Sequence, residues 1–214
     1  MKEIILRLNT SDYKVYNEIF VKKIYNKYDL IKDNDIILDF GSHIGLFTIF
    51  CFEKGCKNVI GFEANDDNKK LYQKNVGYES LDAISIDGNK SLLYIANDEK
   101  NTWRHSLIKK RGRKSIEINT LKYDDVILKY KPTGIKIDIE GYEIQMLEQC
   151  DFSNLRWLIV EYSFDCDKSI PRFLKIIERL RTFFKSVKYD KVKSNELEYR
   201  YVPQCTMIYC FNFQ

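Results

Sequence analysis

The stretch DIILDFGSHIGLFTIF, Asp35 to Phe50, decides the fold. "IILDF" is a short apolar run of buried-strand length, and "GLFTIFCFEKG" behind it reads as a helix closed by Gly55. Gly41 and Gly45 stand in the turn between them, with Ser42 and His43 inside the pair. A chain that only needed to turn could use one glycine. Two residues without a Cβ let a ligand come close to the backbone. In an open α/β sheet, ligands sit beyond the carboxyl ends of the strands, where the strand order reverses. Gly41 and Gly45 therefore mark a candidate ligand turn at the end of this strand.

The next strand, "NVIGFEA", ends in Glu63. A carboxylate at that place can accept both hydroxyls of a ribose, which points to a nucleoside cofactor. Dinucleotides favour G-x-G-x-x-G, where the middle glycine admits a pyrophosphate. The turn here reads G-S-H-I-G and lacks that glycine. S-adenosylmethionine carries no phosphate and fits such a turn. The bland alternative is a glycine-rich turn with no ligand, which the placement of Glu63 disfavours.

Outward from this unit the chain alternates. "SDYKVYNEIFVKKIYNKY" has apolar residues at helical spacing with Ser11 as an N-cap, and "DDNKKLYQKNV" is a helix with Asp66 and Asp67 in its first turn. "LDAISID", "SLLYIAN" and "IEINTL" read as strands, around a basic loop "NDEKNTWRHSLIKKRGRKS". "KYDDVILKY", "GYEIQMLEQ" and "IPRFLKIIERLRTFF" read as helices. "GIKIDIE" and "LRWLIVEY" read as strands, and "FKSVKYDKV" with "QCTMIYCF" as a closing strand pair. Alternating strands and helices argue for a parallel sheet with right-handed crossovers. We expect one domain over 1–214, with an N-terminal helical extension over 1–34 and the core over 35–214.

Composition sets limits. Of 214 residues, 44% are apolar, enough for one sizeable core, and a net charge of +4 demands no polyanionic partner. The six cysteines form no C-x-x-C pair, and no histidine stands at metal-finger spacing. No apolar run approaches the roughly 20 residues of a membrane span. These features read as a soluble protein of a reducing, cytoplasmic compartment.

"TGIKIDIEGYEIQMLEQC" is the second informative stretch. Side chains alternate along a strand, so Lys136, Asp138 and Glu140 should point one way. Charges on alternate positions of a central strand are costly to bury unless paired or functional. The following strand ends in Glu161, so Asp138, Glu140 and Glu161 should surround one cleft.

At these motifs the chain resembles the FkbM family of S-adenosylmethionine-dependent methyltransferases. The family's D-x-G-A-N-x-G is "DFGSHIG" here, its F-E-P-x is "GFEAN", and its K-I-D-V-E-G-x-E is "KIDIEGYE". The resemblance runs in order from about Leu6 to Glu161, and the third motif is the most specific. Ser42 and His43 replace the usual Ala-Asn, and Ala64 replaces a proline. The resemblance implies a Rossmann-like class I methyltransferase fold: α/β, with a mostly parallel seven-stranded sheet, an antiparallel C-terminal edge strand, and helices on both faces. It implies O-methylation of a hydroxylated molecule such as a sugar or glycan. It also implies cofactor contacts from Asp39, Gly41, Gly45 and Glu63, with Ser42 and His43 at the methionine end and Asp82 on the adenine side. Compact length and an AT-rich-looking composition permit an origin in a large DNA virus, a deoxysugar such as rhamnose as acceptor, and a host-cytoplasmic location.

A sugar hydroxyl is a very weak acid and needs a base or a metal as its proton leaves. Asp138 is the first candidate, with Glu161, Glu140 and His105 behind it. Lys136 would hold a carboxylate or orient the acceptor. A divalent cation, if used, would sit on Asp138 and Glu161. Trp103, Arg104 and His105 offer an apolar face with donors, as a sugar site does. Trp103, Arg104 and Glu140 are accordingly candidate substrate contacts. The run "KKRGRK", Lys109 to Lys114, is either a solvated loop or a contact for phosphates, an anionic glycan, a nucleotide-sugar or a membrane surface. That run supports a rival reading, a nucleic-acid methyltransferase. A non-catalytic cofactor-binding protein is the third reading, supported only by His43 in place of the family's asparagine.

Overall fold

Strand β1 (Ile36–Phe40) forms where the chain is apolar on both faces, as a central strand must be. Leu38 and Phe40 pack on one side of it and Ile37 on the other. The computed structural model describes residues 3–98, 100–110, 112–190 and 203–213. After β1 come α2 (Leu46–Glu53), β2 (Asn58–Phe62), α3 (Asp66–Val76), β3 (Ala83–Ser85), β4 (Ser91–Tyr94), β5 (Ser115–Ile118) and β6 (Thr120–Lys122). Then follow α4 (Tyr123–Tyr130), β7 (Gly134–Ile137), α5 (Glu143–Gln149), β8 (Trp157–Ser163), α6 (Ile170–Phe183), β9 (Ser186–Tyr189) and β10 (Cys205–Phe211). Ahead of β1 lie α1 (Asp12–Tyr16), a π-helical turn (Asn17–Val21) and a 3-10 turn (Ile24–Asn26).

The central sheet has the order β2-β1-β7-β8-β10-β9. The pairs β1–β2, β1–β7 and β7–β8 are parallel, and β10 runs antiparallel to both β8 and β9. Two hydrophobic layers cover it. One joins α4, α5 and α6 through Tyr123, Met146 and Phe173, and the other joins α2 and the N-terminal turns through Phe47, Phe50 and Tyr25. The α/β fold with helices on both faces is as expected.

Three expectations need correction. The sheet is mixed and has six strands, because the 81–87 segment only touches β2 at Leu81 before β3 leaves to pair with β6. The C-terminal strand is not an edge. The α6 crossover carries β9 outward, and β10 fills the slot between β8 and β9, pairing both of their edges. The N-terminal stretch is three short turns instead of one helix. Lys23 at φ +54° breaks it, and the Ser11 hydroxyl bonds Thr102 at 3.1 Å without capping the helix.

Candidate active site

The ends of β1, β2, β7 and β8 open into one cleft, which encloses about 1200 Å³ of atom-free space, partly open to solvent. The glycine turn forms its floor. The amides of Gly41 and Ser42 donate to the Phe62 carbonyl at 2.9 and 3.0 Å, tying the turn to β2. Gly41 sits at φ +79°, and a Cβ there would overlap the Asp138 carbonyl oxygen. Gly45, at φ +88°, would strike Val76 of α3. Both glycines are thus required by the protein's own packing, β7 against the turn and α3 against α2. Gly41 lines the cleft; Gly45 does not.

Glu63 follows β2 and is almost wholly buried. Its Oε2 accepts the His43 amide and its Oε1 the Asn65 amide, both at 2.8 Å. The Asn68 side chain adds a further hydrogen bond to the carboxyl. Burial raises its pKa, and these amides work against that. Ser42 beside it is buried with an unpartnered hydroxyl.

His43 is held in the left-handed region at φ +50°. Its Nε2 contacts Thr102 Oγ1 at 3.0 Å and Arg7 at 3.2 Å. Arg7 also donates to Asn68 at 2.8 Å and to Asp12 at 2.9 Å, and Thr102 donates to Asp12 at 2.7 Å. Burial would raise the pKa of Asp12, but its bonds from Arg7 outweigh that and hold it low. Burial pulls His43 down to about 3, so it is neutral. This network latches the N-terminal segment over the glycine turn. Lys14, Val15, Glu18, Ile19, Ile24 and Tyr25 of that segment form one wall of the cleft.

Lys136 lines the cleft, with Asp39 beneath it. Asp39 is fully buried below the lining, 3.1 Å from Lys136 Nζ, and it accepts Thr48 Oγ1 at 3.2 Å. Lys136 also donates to the Gly41 carbonyl at 2.7 Å. Burial would lower the Lys136 pKa, but Asp39 and Asp138 outweigh it and keep the ammonium charged. Asp138 is 29% exposed; its Oδ2 lies 3.8 Å from Lys136 and 3.5 Å from the Tyr25 hydroxyl. Its Oδ1 makes no hydrogen bond among the described residues. Glu161 lines the same space, and burial, then the charge of Asp138, pushes its pKa up to about 8.

Pairing of β7 stops at Ile137, so the expected row of Lys136, Asp138 and Glu140 is broken. Glu140, at φ +55°, leaves the strand row but still lines the cleft, and it bonds Lys109 at 2.5 Å. Burial raises it to about 7. Lys109, first of the basic run, is buried and also meets Asp165 at 3.1 Å. Arg113 donates to the Arg104 carbonyl at 2.6 Å. At these two positions the run is structural. Trp103 and His105 line the cleft, but Arg104 does not. His105 Nδ1 accepts the Ala96 amide at 3.2 Å, which puts its proton on Nε2 and leaves no lone pair for a base. Asp82 pairs with Lys69 at 2.5 Å and lies outside the lining. Among the described residues no group of three or more His, Cys, Asp or Glu side chains is placed to hold a metal ion.

A family model for the methyltransferase FkbM domain matches residues 39–201. The chain belongs to the FkbM methyltransferase family. Its domain is thereby one of the S-adenosylmethionine-dependent methyltransferases. The FkbM methyltransferase of Methylobacillus flagellatus KT superposes with a TM-score of 0.51 at 15% identity, over 92% of this chain and 48% of that one. This chain thus spans about half the length of that relative. The fibrillarin pre-rRNA processing protein of Methanococcus jannaschii gives a TM-score of 0.51 at 11% identity, over 86% and 69% of the two chains. At such identities the likeness is one of fold. Comparison with curated proteins finds no match.

The motifs thus converge on one cleft, while Asp39, Gly45, Asp82 and Arg104 lie outside its lining. The sequence carried no signal for Tyr25 or for the Arg7–Asp12–Thr102 latch, whose members are far apart along the chain. Glu143, third acid of the "KIDIEGYE" motif, is fully buried and accepts the Gly141 and Ser163 amides at 2.6 and 2.8 Å, tying α5 to the end of β8. No helix of the described residues is long and apolar enough to cross a membrane.

Proposed function

We propose that the chain methylates a hydroxyl of a sugar or glycan, with Asp138 as the base. The observation that carries this is a single cleft lined both by Glu63, a buried carboxyl held by two backbone amides, and by Asp138, whose Oδ1 makes no hydrogen bond among the described residues. The residues fit S-adenosylmethionine. Five carboxyl side chains against two lysines suit a sulfonium cation better than a phosphate. Glu63 would take the ribose hydroxyls, and Ser42 would supply an unpaired hydroxyl on the same floor. Bound there, the cofactor supplies a methyl group on a good leaving group.

The protein's own task is to align the acceptor and take its proton. Asp138 Oδ1 receives that proton. Lys136 and Tyr25 hold Oδ2 and so fix the carboxylate plane. Lys136 orients and does not transfer protons, because its ammonium is committed to Asp39 and the Gly41 carbonyl. Glu161 holds a proton below about pH 8 and donates to the acceptor. Trp103 lines the cleft with its ring beside Lys14 and Arg104 and its indole N–H buried without a partner.

Methyl-labelled S-adenosylmethionine offered with a pool of sugars and glycans and a pool of RNA and DNA tests this. Label in the sugar pool, lost in Asp138→Ala and indifferent to a chelator, is the expected result. Label only in nucleic acid would sink the reading. The burial of Lys109 removes part of the support for that alternative.

A further inference from the structure

Among the described residues, every cation at the cleft has a partner. Lys136 is held by Asp39 and the Gly41 carbonyl. Lys14 lies over the Trp103 ring at 4.7 Å and 4.0 Å from Glu18. Lys109 is spent on Glu140 and Asp165, and Arg7 on Asp12 and Asn68. Arg104 stacks on Trp103 at 4.8 Å and lies outside the lining. Both histidines are neutral. Against this stand the carboxylates of Glu18 and Asp138 on the lining, with Glu140 there already paired to Lys109 and Glu161 protonated below about pH 8. A phosphate, sulfate or carboxylate entering here would meet carboxylates with no unpaired partner. A neutral polyol meets the opposite situation. Its hydroxyls donate to carboxylates, and its oxygens accept from the unpartnered Trp103 indole N–H.

Resting on the sugar O-methylation reading, we infer that the acceptor enters this cleft as an uncharged hydroxyl compound, after any nucleoside diphosphate has left it. Methylation then follows glycosyl transfer. The reaction that supplies the substrate is a transferase that has already released the nucleotide. A sugar still joined to a pyrophosphate carries at least two negative charges one bond from its ring, within reach of the same carboxylates.

The test compares kcat/KM for pairs that differ by charge: a methyl 6-deoxyhexoside against the nucleoside-diphosphate-linked sugar, and a methyl hexoside against the hexuronide. A neutral non-sugar alcohol with its carboxylated counterpart, and RNA, complete the set. The neutral member should lead by about 100-fold, as expected for one unscreened like charge a few ångström away. Glu18→Gln, which releases Lys14, should narrow that lead by about tenfold. Equal or better turnover of the anionic members, or label in RNA, overturns the inference. Label only in the neutral non-sugar alcohol, with the lead kept, discards the sugar and supports the inference. Should nothing turn over, saturation-transfer NMR with S-adenosylhomocysteine present reads the same pairs. Preferential contact by the neutral members supports the inference; equal or reversed contact overturns it.

Discussion

At the scale of single residues, burial governs the chemistry of the cleft. Glu161 is pushed up to about 8 from 4.5, so the folded protein keeps a proton there that the unfolded chain releases. Stability from this group is present at low pH and lost as pH rises through the folded value. Glu140, at about 7, acts in the same sense. His43 and His105, pulled from 6.5 to about 3 and about 4, oppose them, but only below pH 6.5 where the unfolded histidines are charged. Above that the carboxyls act alone. The melting temperature should therefore fall between pH 6.5 and 8, and Glu161→Gln should flatten the fall. An equally steep fall in the variant would contradict this. Gly41→Ala should cost more than about 1 kcal/mol, since it adds a Cβ at positive φ against the Asp138 carbonyl. It should also depress turnover, because relief of the overlap displaces Asp138. Chemical denaturation and steady-state rates on the folded fraction would show both.

At the scale of elements, the latch between the N-terminal segment and the glycine turn is the part least visible in sequence. Asp12→Ala leaves Arg7 and Thr102 without their acceptor and should destabilise by about 1–3 kcal/mol. Amide exchange should rise first over residues 3–26, and S-adenosylmethionine should bind more weakly, because His43 loses its support. Exchange that rises uniformly along the chain would argue against a latch. The strand–turn–helix units were legible, since α3 occupies the run 66–76 read from its polar face, and Gly55 ends the helix ahead of β2. The 11–28 segment was misread because its apolar spacing is helical, while the cleft it must cover bends it. The reach of "GIKIDIE" was overestimated because alternation persists in sequence after pairing ends at Ile137.

At the scale of the whole molecule, the sheet separates two jobs. Its carboxyl ends carry the cleft. Its other end is closed by Asp35, which accepts from Arg156, from the Trp157 indole at 3.1 Å and from Thr133 at 2.6 Å. Removing that carboxylate by Asp35→Ala should cost about 3–5 kcal/mol, the penalty for leaving a partly buried cation unpaired. Urea unfolding would measure it, and the folded fraction should keep its S-adenosylmethionine affinity. The alternation of strands and helices and the glycine turn were legible because apolar runs and bounding glycines leave local signatures. Which lysines are free was not legible, because Lys109 looks solvated in "KKRGRK" and is buried only through Glu140 and Asp165, residues distant in the chain. The most direct measurement splits binding from turnover: calorimetric S-adenosylmethionine affinity beside methyl-transfer rate for Glu63→Ala and Asp138→Asn. The account predicts that Glu63→Ala weakens binding by about tenfold or more, whereas Asp138→Asn binds as the parent does and turns over at least about 100-fold more slowly. Unchanged affinity in the first, or undiminished turnover in the second, would contradict it.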